Sequence, residues 1–154
     1  MSPREDKLAE LGLHLPEVSA PLAAYVPAVR SGNLVFVSGQ LPMVDGQLQL
    51  AGKVGAEVTV EQAKGLAQRC ALNGLAAAAE AAGGLENIVR VVKVVGYVNA
   101  EPSFIQHPQV VNGASELLGH VLGDAGQHSR VAIGVGSLPL GAPVEIEMVV
   151  EVEG

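Results

Sequence analysis

The chain has 154 residues, of which 49% are hydrophobic and 16% charged, and its formal net charge is -7. That length suits one domain, 1–154, able to bury about two thirds of its unfolded surface without staples. The acidic balance argues against nonspecific nucleic-acid binding, which relies on Lys and Arg neutralising phosphates, and the nine basic residues are scattered along the chain.

So apolar a composition favours a buried subunit interface. The single cysteine, Cys70, excludes an internal disulfide and any cysteine-cluster metal site, and it fits a reducing compartment. The first residues are too charged for a secretory signal, and no run approaches the ~18 apolar residues of a membrane span. The cytoplasm is the expected location, with no membrane partner.

Ser2-Pro3-Arg4-Glu5 reads as a capping box, predicting a short helix through Leu8 and Leu11 that ends at Gly12 within an N-terminal extension, residues 1–20. Leu15 to Leu22 is interrupted by proline and should be extended. Tyr25 to Val29, the turn Ser31-Gly32-Asn33 and the run Leu34 to Ser38 predict a hairpin. Gly39 follows, where the missing side chain lets a backbone or ligand approach, or simply marks a bulge or turn. Tyr25 is one of only two tyrosines, and by itself such a residue is more often core than site.

Asp45-Gly46 turns the chain toward a short strand around Gln47 to Ala51. The period then becomes helical. Thr59-Val60-Glu61-Gln62 is a second capping box, and Ala63, Leu66, Ala67, Cys70, Gly74, Ala77, Ala78 and Ala81 form a smooth stripe that stops at Gly83-Gly84. Cys70 lies on that stripe and reads as a small core residue. Asn87 to Asn99 is apolar on both faces and predicts a strand covered on both sides, one by helices and the other by a partner subunit.

A second helix begins near His107-Pro108, with Val110, Val111, Ala114, Leu117, Leu118, Val121 and Leu122 buried and Asn112 on the flank, where a solvated Asn is the plain alternative. His107, His120 and His128 lack the i,i+4 spacing of helical metal ligands, so no metal is expected. His128 directly precedes Ser129-Arg130 and could border a pocket.

The last stretch carries the chemistry. Ser129 to Gly154 reads as two strands about a Leu138-Pro139-Leu140-Gly141-Ala142-Pro143 connector. On the first, Arg130 shares its face with Ala132, Gly134 and Gly136, residues too small to fill the space beside it. Its planar fork suits a small carboxylate, and a rim arginine paired with an acid is the alternative. On the second, Val144, Ile146, Met148, Val150 and Val152 form a core face, backed by Glu145, Glu147, Val149 and Glu151; acids there are usually just solvated. In a simple hairpin Glu145 would face Val135, about 16 Å along the strand from Arg130. Either the pairing differs or the two groups meet across an interface.

Arg130 with a small residue after it, Leu138-Pro139 and Val144-Glu145-Ile146-Glu147 resemble the C-terminal signature of the RidA/YjgF family of reactive-intermediate deaminases, also called endoribonuclease L-PSP. Ala24-Tyr25-Val26 and Leu34-Val35-Phe36-Val37-Ser38-Gly39-Gln40-Leu41-Pro42 resemble its N-terminal signature. The resemblance implies an α+β, chorismate-mutase-like fold, a mixed sheet with two main helices on one face, and homotrimers with ligand sites between subunits.

It further implies hydrolysis of small enamines and imines of the 2-aminoacrylate class to 2-keto acids and ammonia, without metal or organic cofactor. Arg130 would clamp the carboxylate, and Glu145 would hold or deprotonate the attacking water. Tyr25, Gly39 and Asn112 would line the cavity, Tyr25 as a wall supplied to a neighbour's site. Ala132 stands where many members have cysteine, and residues 104–128 carry their own wording, Asn112-Gly113-Ala114-Ser115-Glu116 among it. A non-catalytic trimeric binding protein for small carboxylates or keto acids is the alternative, with an endoribonuclease disfavoured by the charge.

Overall fold

The computed structural model describes residues 2–18 and 23–154. Its elements are α1 (Pro3–Glu10), β1 (Ala28–Ser31), β2 (Leu34–Gln40), β3 (Met43–Val44), β4 (Gln47–Leu48), α2 (Val60–Ala82), β5 (Ile88–Asn99), α3 (His107–Leu122), β6 (Ser129–Val135) and β7 (Val144–Val152). Five strands form one mixed sheet in the order β1-β2-β7-β5-β6, and β3-β4 is a separate two-stranded ribbon about Asp45-Gly46. The α+β class expected from sequence is the class observed.

Both helix starts form as read. Thr59 Oγ1 accepts from the Gln62 amide while Gln62 Oε1 accepts from the Thr59 amide, and Ser2 and Glu5 do the same for α1. Gly83 closes α2 in the left-handed conformation, φ 84°. The stripe on α2 is wider than predicted: Ala71, Leu72, Asn73, Leu75, Ala76 and Ala79 are buried too, because α3, the sheet and the Leu41–Met43 segment surround that half of the helix.

The two long helices cover one face of the sheet. Val35, Val37, Ile146, Met148 and Val150 point into that core as the period of two requires, and Val91 and Val94, three residues apart, both do so because a register shift interrupts β5 between them. Close approach of α3 depends on missing side chains. A Cβ on Gly96 would lie 2.4 Å from Val111, and one on Gly113 would lie 2.0 Å from the backbone oxygen of Lys64 on α2.

Gly113→Ala therefore has an expected sign despite alanine's better helix propensity, worth about 1 kcal/mol. The clash is with backbone, so the helices must move apart, as in overpacked cores that lose about 1–3 kcal/mol. A lower midpoint in urea unfolding with unchanged slope is the expected result.

α1 packs against this assembly rather than trailing from it. Leu8 is fully buried, and Arg4 Nη1 donates to the carbonyls of Leu85 and Ile88 at 2.9 and 2.7 Å. The expected extended stretch Leu15 to Leu22 has neither helix nor strand over 15–18, and Ser19 to Leu22 lie outside the described residues. The strand predicted from Gln47 to Ala51 is shorter, Gln47–Leu48.

The last two strands are not a hairpin. β6 runs parallel to β5 on one side and β7 antiparallel to β5 on the other. A parallel neighbour needs a crossover, and α3 is that crossover between β5 and β6. The Leu138–Pro143 connector then carries the chain past the end of β5, with Leu140 at φ 61° in a tight 3-10 turn.

The opposite face of the sheet is open. Residues paired across strands share a face, so Val29, Phe36 and Val149 stand in one row, and Val95 with Val131 and Tyr97 with Ile133 in the next two. Phe36 is 46% and Ile133 43% exposed. Lys93, Glu147 and Glu145 share these three rows, yet so many large apolar side chains exposed together are unusual on a monomer's exterior. Among the described residues no helix is long and apolar enough to cross a membrane.

Candidate functional site

The residues singled out from sequence fall into two groups. Tyr25, Gly39 and Glu145 line one cleft of about 930 Å³, together with His14 to Val18, Leu41, Arg69 and Pro139. Asn112 and Arg130 join each other elsewhere, on the helix-covered side of β6.

The first group is built around an irregularity. β2 pairs regularly with β7 as far as Val37↔Met148, then shifts to Gln40↔Ile146, so Ser38 and Gly39 form a bulge. A Cβ on Gly39 would lie 2.0 Å from Glu145 Oε2. The missing side chain thus makes room for a carboxylate of the same chain. Ser38 fastens the Tyr25 segment beside it, its hydroxyl donating to the Val26 carbonyl at 2.7 Å and its amide to Pro27 at 2.9 Å.

Glu145 stands half-buried on the open face of β7, opposite Tyr97 of β5. Burial, and then the neighbouring charge of Glu147, push its carboxyl above the usual range. The Tyr97 hydroxyl donates to Glu147. That bond first, then burial and the nearby acids, push the phenol up to about 12, so Tyr97 remains a donor at neutral pH. Cys70, by contrast, is fully buried, and burial pushes its thiol well up, as befits a core residue.

The second group is held from α3. Arg130 Nη1 donates to Asn112 Oδ1 at 2.7 Å and to Ser115 Oγ at 3.2 Å. The guanidinium makes no ion pair among the described residues. The expectation that small neighbours leave its surroundings empty is corrected here, because α3 occupies that side: a Cβ on Gly134 would lie 2.6 Å from the His107 ring. Sequence reasoning does not single out Ser115. A serine on a helix flank carries no signal until β6 is known to lie alongside.

Arg130 and Glu145 do not meet within one chain. Val94 pairs with both Arg130 and Met148, which places Arg130 on the helix-covered face, whereas Tyr97 pairs with Glu145 on the open face. The sheet lies between them. Among the described residues no three His, Cys, Asp or Glu side chains gather as a metal site would require.

An open-faced mixed sheet backed by two long helices, with a bulge that seats a carboxylate, defines a small α+β protein. The family model described as "YjgF/chorismate_mutase-like, putative endoribonuclease" matches residues 5–152, and the chain belongs to that family. Protein TCP17 of Trypanosoma cruzi is 43% identical over 145 residues, covering 94% of this chain and 91% of that protein. The crystal structure of Atu1372, of unknown function, from Agrobacterium tumefaciens superposes with a TM-score of 0.92 at 46% identity, covering 97% of this chain and 92% of that one. RidA from an Antarctic Psychrobacter superposes with a TM-score of 0.59 at 29% identity, covering 88% and 94%.

Proposed function

We propose that the protein hydrolyses small enamine and imine intermediates of the 2-aminoacrylate class to 2-keto acids and ammonia, at sites completed between subunits of a homotrimer. The observation that carries this reading is the division of the site: a carboxylate-seating cleft on one face, a guanidinium with no acid partner among the described residues on the other, and an open sheet face with exposed Phe36, Val131 and Ile133 that a second copy can cover. Membership of a family that includes RidA proteins supports it.

In this reading Arg130 and Asn112 of one subunit face Tyr25, Gly39 and Glu145 of the next. Arg130 grips the substrate carboxylate through parallel donors. Glu145 takes a proton from water as the water oxygen bonds to the electrophilic imine carbon. Protonated Glu145 returns that proton to the nitrogen of the resulting carbinolamine, the hydroxyl proton passes back to Glu145 as the C–N bond breaks, and ammonia leaves as the ketone forms. Positioning supplies the rate, since the imine carbon is already reactive. The reading calls for no cofactor, and the net charge of -7 gives RNA no basic surface to follow.

The test is direct. 2-Aminoacrylate generated in solution should release ammonia and pyruvate faster with the protein than without it, and sedimentation should give the mass of three chains. If pyruvate protects the protein against heat while ammonia release stays at background, a binding protein for keto acids replaces the enzyme. A monomer with full activity would defeat the intersubunit site.

A further inference from the structure

We propose that Ser115 and His128 are positioning residues for Arg130, forming a relay that fixes which edge of the guanidinium is presented to the ligand. The proposal rests on the reading above for the identity of that ligand, a small carboxylate. The relay itself rests on geometry.

The hydrogen bonds run in one direction. Arg130 Nη1 spends its two protons on Asn112 Oδ1 and Ser115 Oγ, at 2.7 and 3.2 Å. The guanidinium makes no other hydrogen bond among the described residues, so its Nε and Nη2 edge remains for a ligand. Those two nitrogens form the side-on fork that matches two carboxylate oxygens.

Ser115 Oγ lies 2.8 Å from His128 Nε2, and His128 Nδ1 lies 2.6 Å from the Gly126 carbonyl. A carbonyl can only accept, so Nδ1 carries the proton and donates to it. With the proton on Nδ1, Nε2 is free to accept, and the Ser115 hydroxyl, which accepts from Arg130, donates to it. His128 thus orients the serine, and the serine orients the arginine.

The relay is anchored at its far end. Gly126 packs so closely on α3 that a Cβ there would lie 2.2 Å from the Leu118 carbonyl oxygen. The turn at residues 123–126 is therefore pinned to the same helix that carries Asn112 and Ser115, and His128 follows two residues later. The distinctive stretch Asn112 to Glu116 and the segment Gly126 to Arg130 become one interlocked unit.

Without the relay, Nη1 keeps Asn112 but loses its second restraint, and the fork turns. A carboxylate clamp acts equally in the bound and transition states, so the loss should fall on KM and not on kcat. Ser115→Ala and His128→Ala should each raise KM for 2-aminoacrylate, and Kd for pyruvate by calorimetry, about tenfold, with kcat within about twofold. Ser115→Thr keeps the hydroxyl, and His128→Gln offers an amide oxygen near the position of Nε2. Both should recover most of the affinity.

Arg130→Ala is the control, losing at least about tenfold in pyruvate affinity. If it does and the serine and histidine variants bind as wild type, the relay is wrong and the clamp stands. If Arg130→Ala leaves pyruvate binding unchanged, the carboxylate reading falls first and the relay with it. Thermal midpoints accompany each variant. Should Ser115→Ala fail to fold, Ser115→Cys keeps the volume with a weak donor and acceptor, and wild-type affinity there would overturn the relay.

Discussion

Glu145→Gln is expected to lower ammonia release from 2-aminoacrylate by about 10²- to 10⁴-fold, the range for removing a positioned base, while pyruvate binding changes by no more than about threefold. The amide keeps the shape of the carboxylate in the space left by Gly39, and it keeps an oxygen for the water. It cannot take the proton. The carboxylate is the active form, so in the wild type kcat falls as pH drops through the Glu145 value. Burial and the Glu147 charge place that value above the usual carboxylate range, and the acid limb should lie correspondingly high. The variant should lack that limb.

Stability should move the other way. Because the folded chain binds the Glu145 proton more tightly than the unfolded chain does, the group's stabilising contribution is complete below its unfolded value. It is lost as pH rises through the raised folded value. The amide of the variant bears no charge to desolvate. The variant should therefore match the wild type in acid and be at least as stable at neutral pH, by thermal unfolding across that window. A variant that is both inactive and unstable at neutral pH would point to a structural role for Glu145, and one that is fully active would remove it from the chemistry.

Much of the fold is legible in the sequence because it is local. Ser2 and Thr59 announce their helices through reciprocal capping bonds that depend on spacing alone. The alternation of Val144 to Val152 assigns faces without knowledge of the neighbours, and the run Asn87 to Asn99 shows an interior strand because it is apolar on both sides. What is not legible is which strands are neighbours. Nothing in residues 129–154 says that β5 lies between β6 and β7, because α3 decides it by forming the crossover.

The candidate site divides in the same way. Gly39 and Glu145 are far apart in sequence, yet a glycine after a strand and an acid on an alternating strand each carry a local signature, and the bulge unites them. Arg130 stands out for its small neighbours, although those neighbours serve to admit α3. Ser115 and the wall from His14 to Val18 carry no pattern of their own. Their roles exist only through what packs against them.

At substrate concentrations well below the wild-type KM, where a lost clamp and a lost base both slow turnover, Arg130→Ala and Glu145→Gln, each much slower than the wild type alone, are expected to regain about a quarter of the wild-type rate when unfolded together in equal amounts and reassembled. In a symmetric oligomer each shared site takes one set of residues from each of two neighbours. Half of the subunits in the mixture keep Arg130, and half of their neighbours keep Glu145, so about one site in four has both. A site confined to one chain predicts no recovery, since every chain then carries a defect.

The strand register favours recovery, because Val94 holds Arg130 on the helix-covered face while Tyr97 holds Glu145 on the open one, and no rotamer carries either side chain through the sheet. Sedimentation of the mixture must show the mass of the intact oligomer, so that failed assembly is not mistaken for failed complementation. Recovered activity at that mass requires Arg130 and Glu145 from different subunits. Its absence there would mean that the two residues do not serve one reaction.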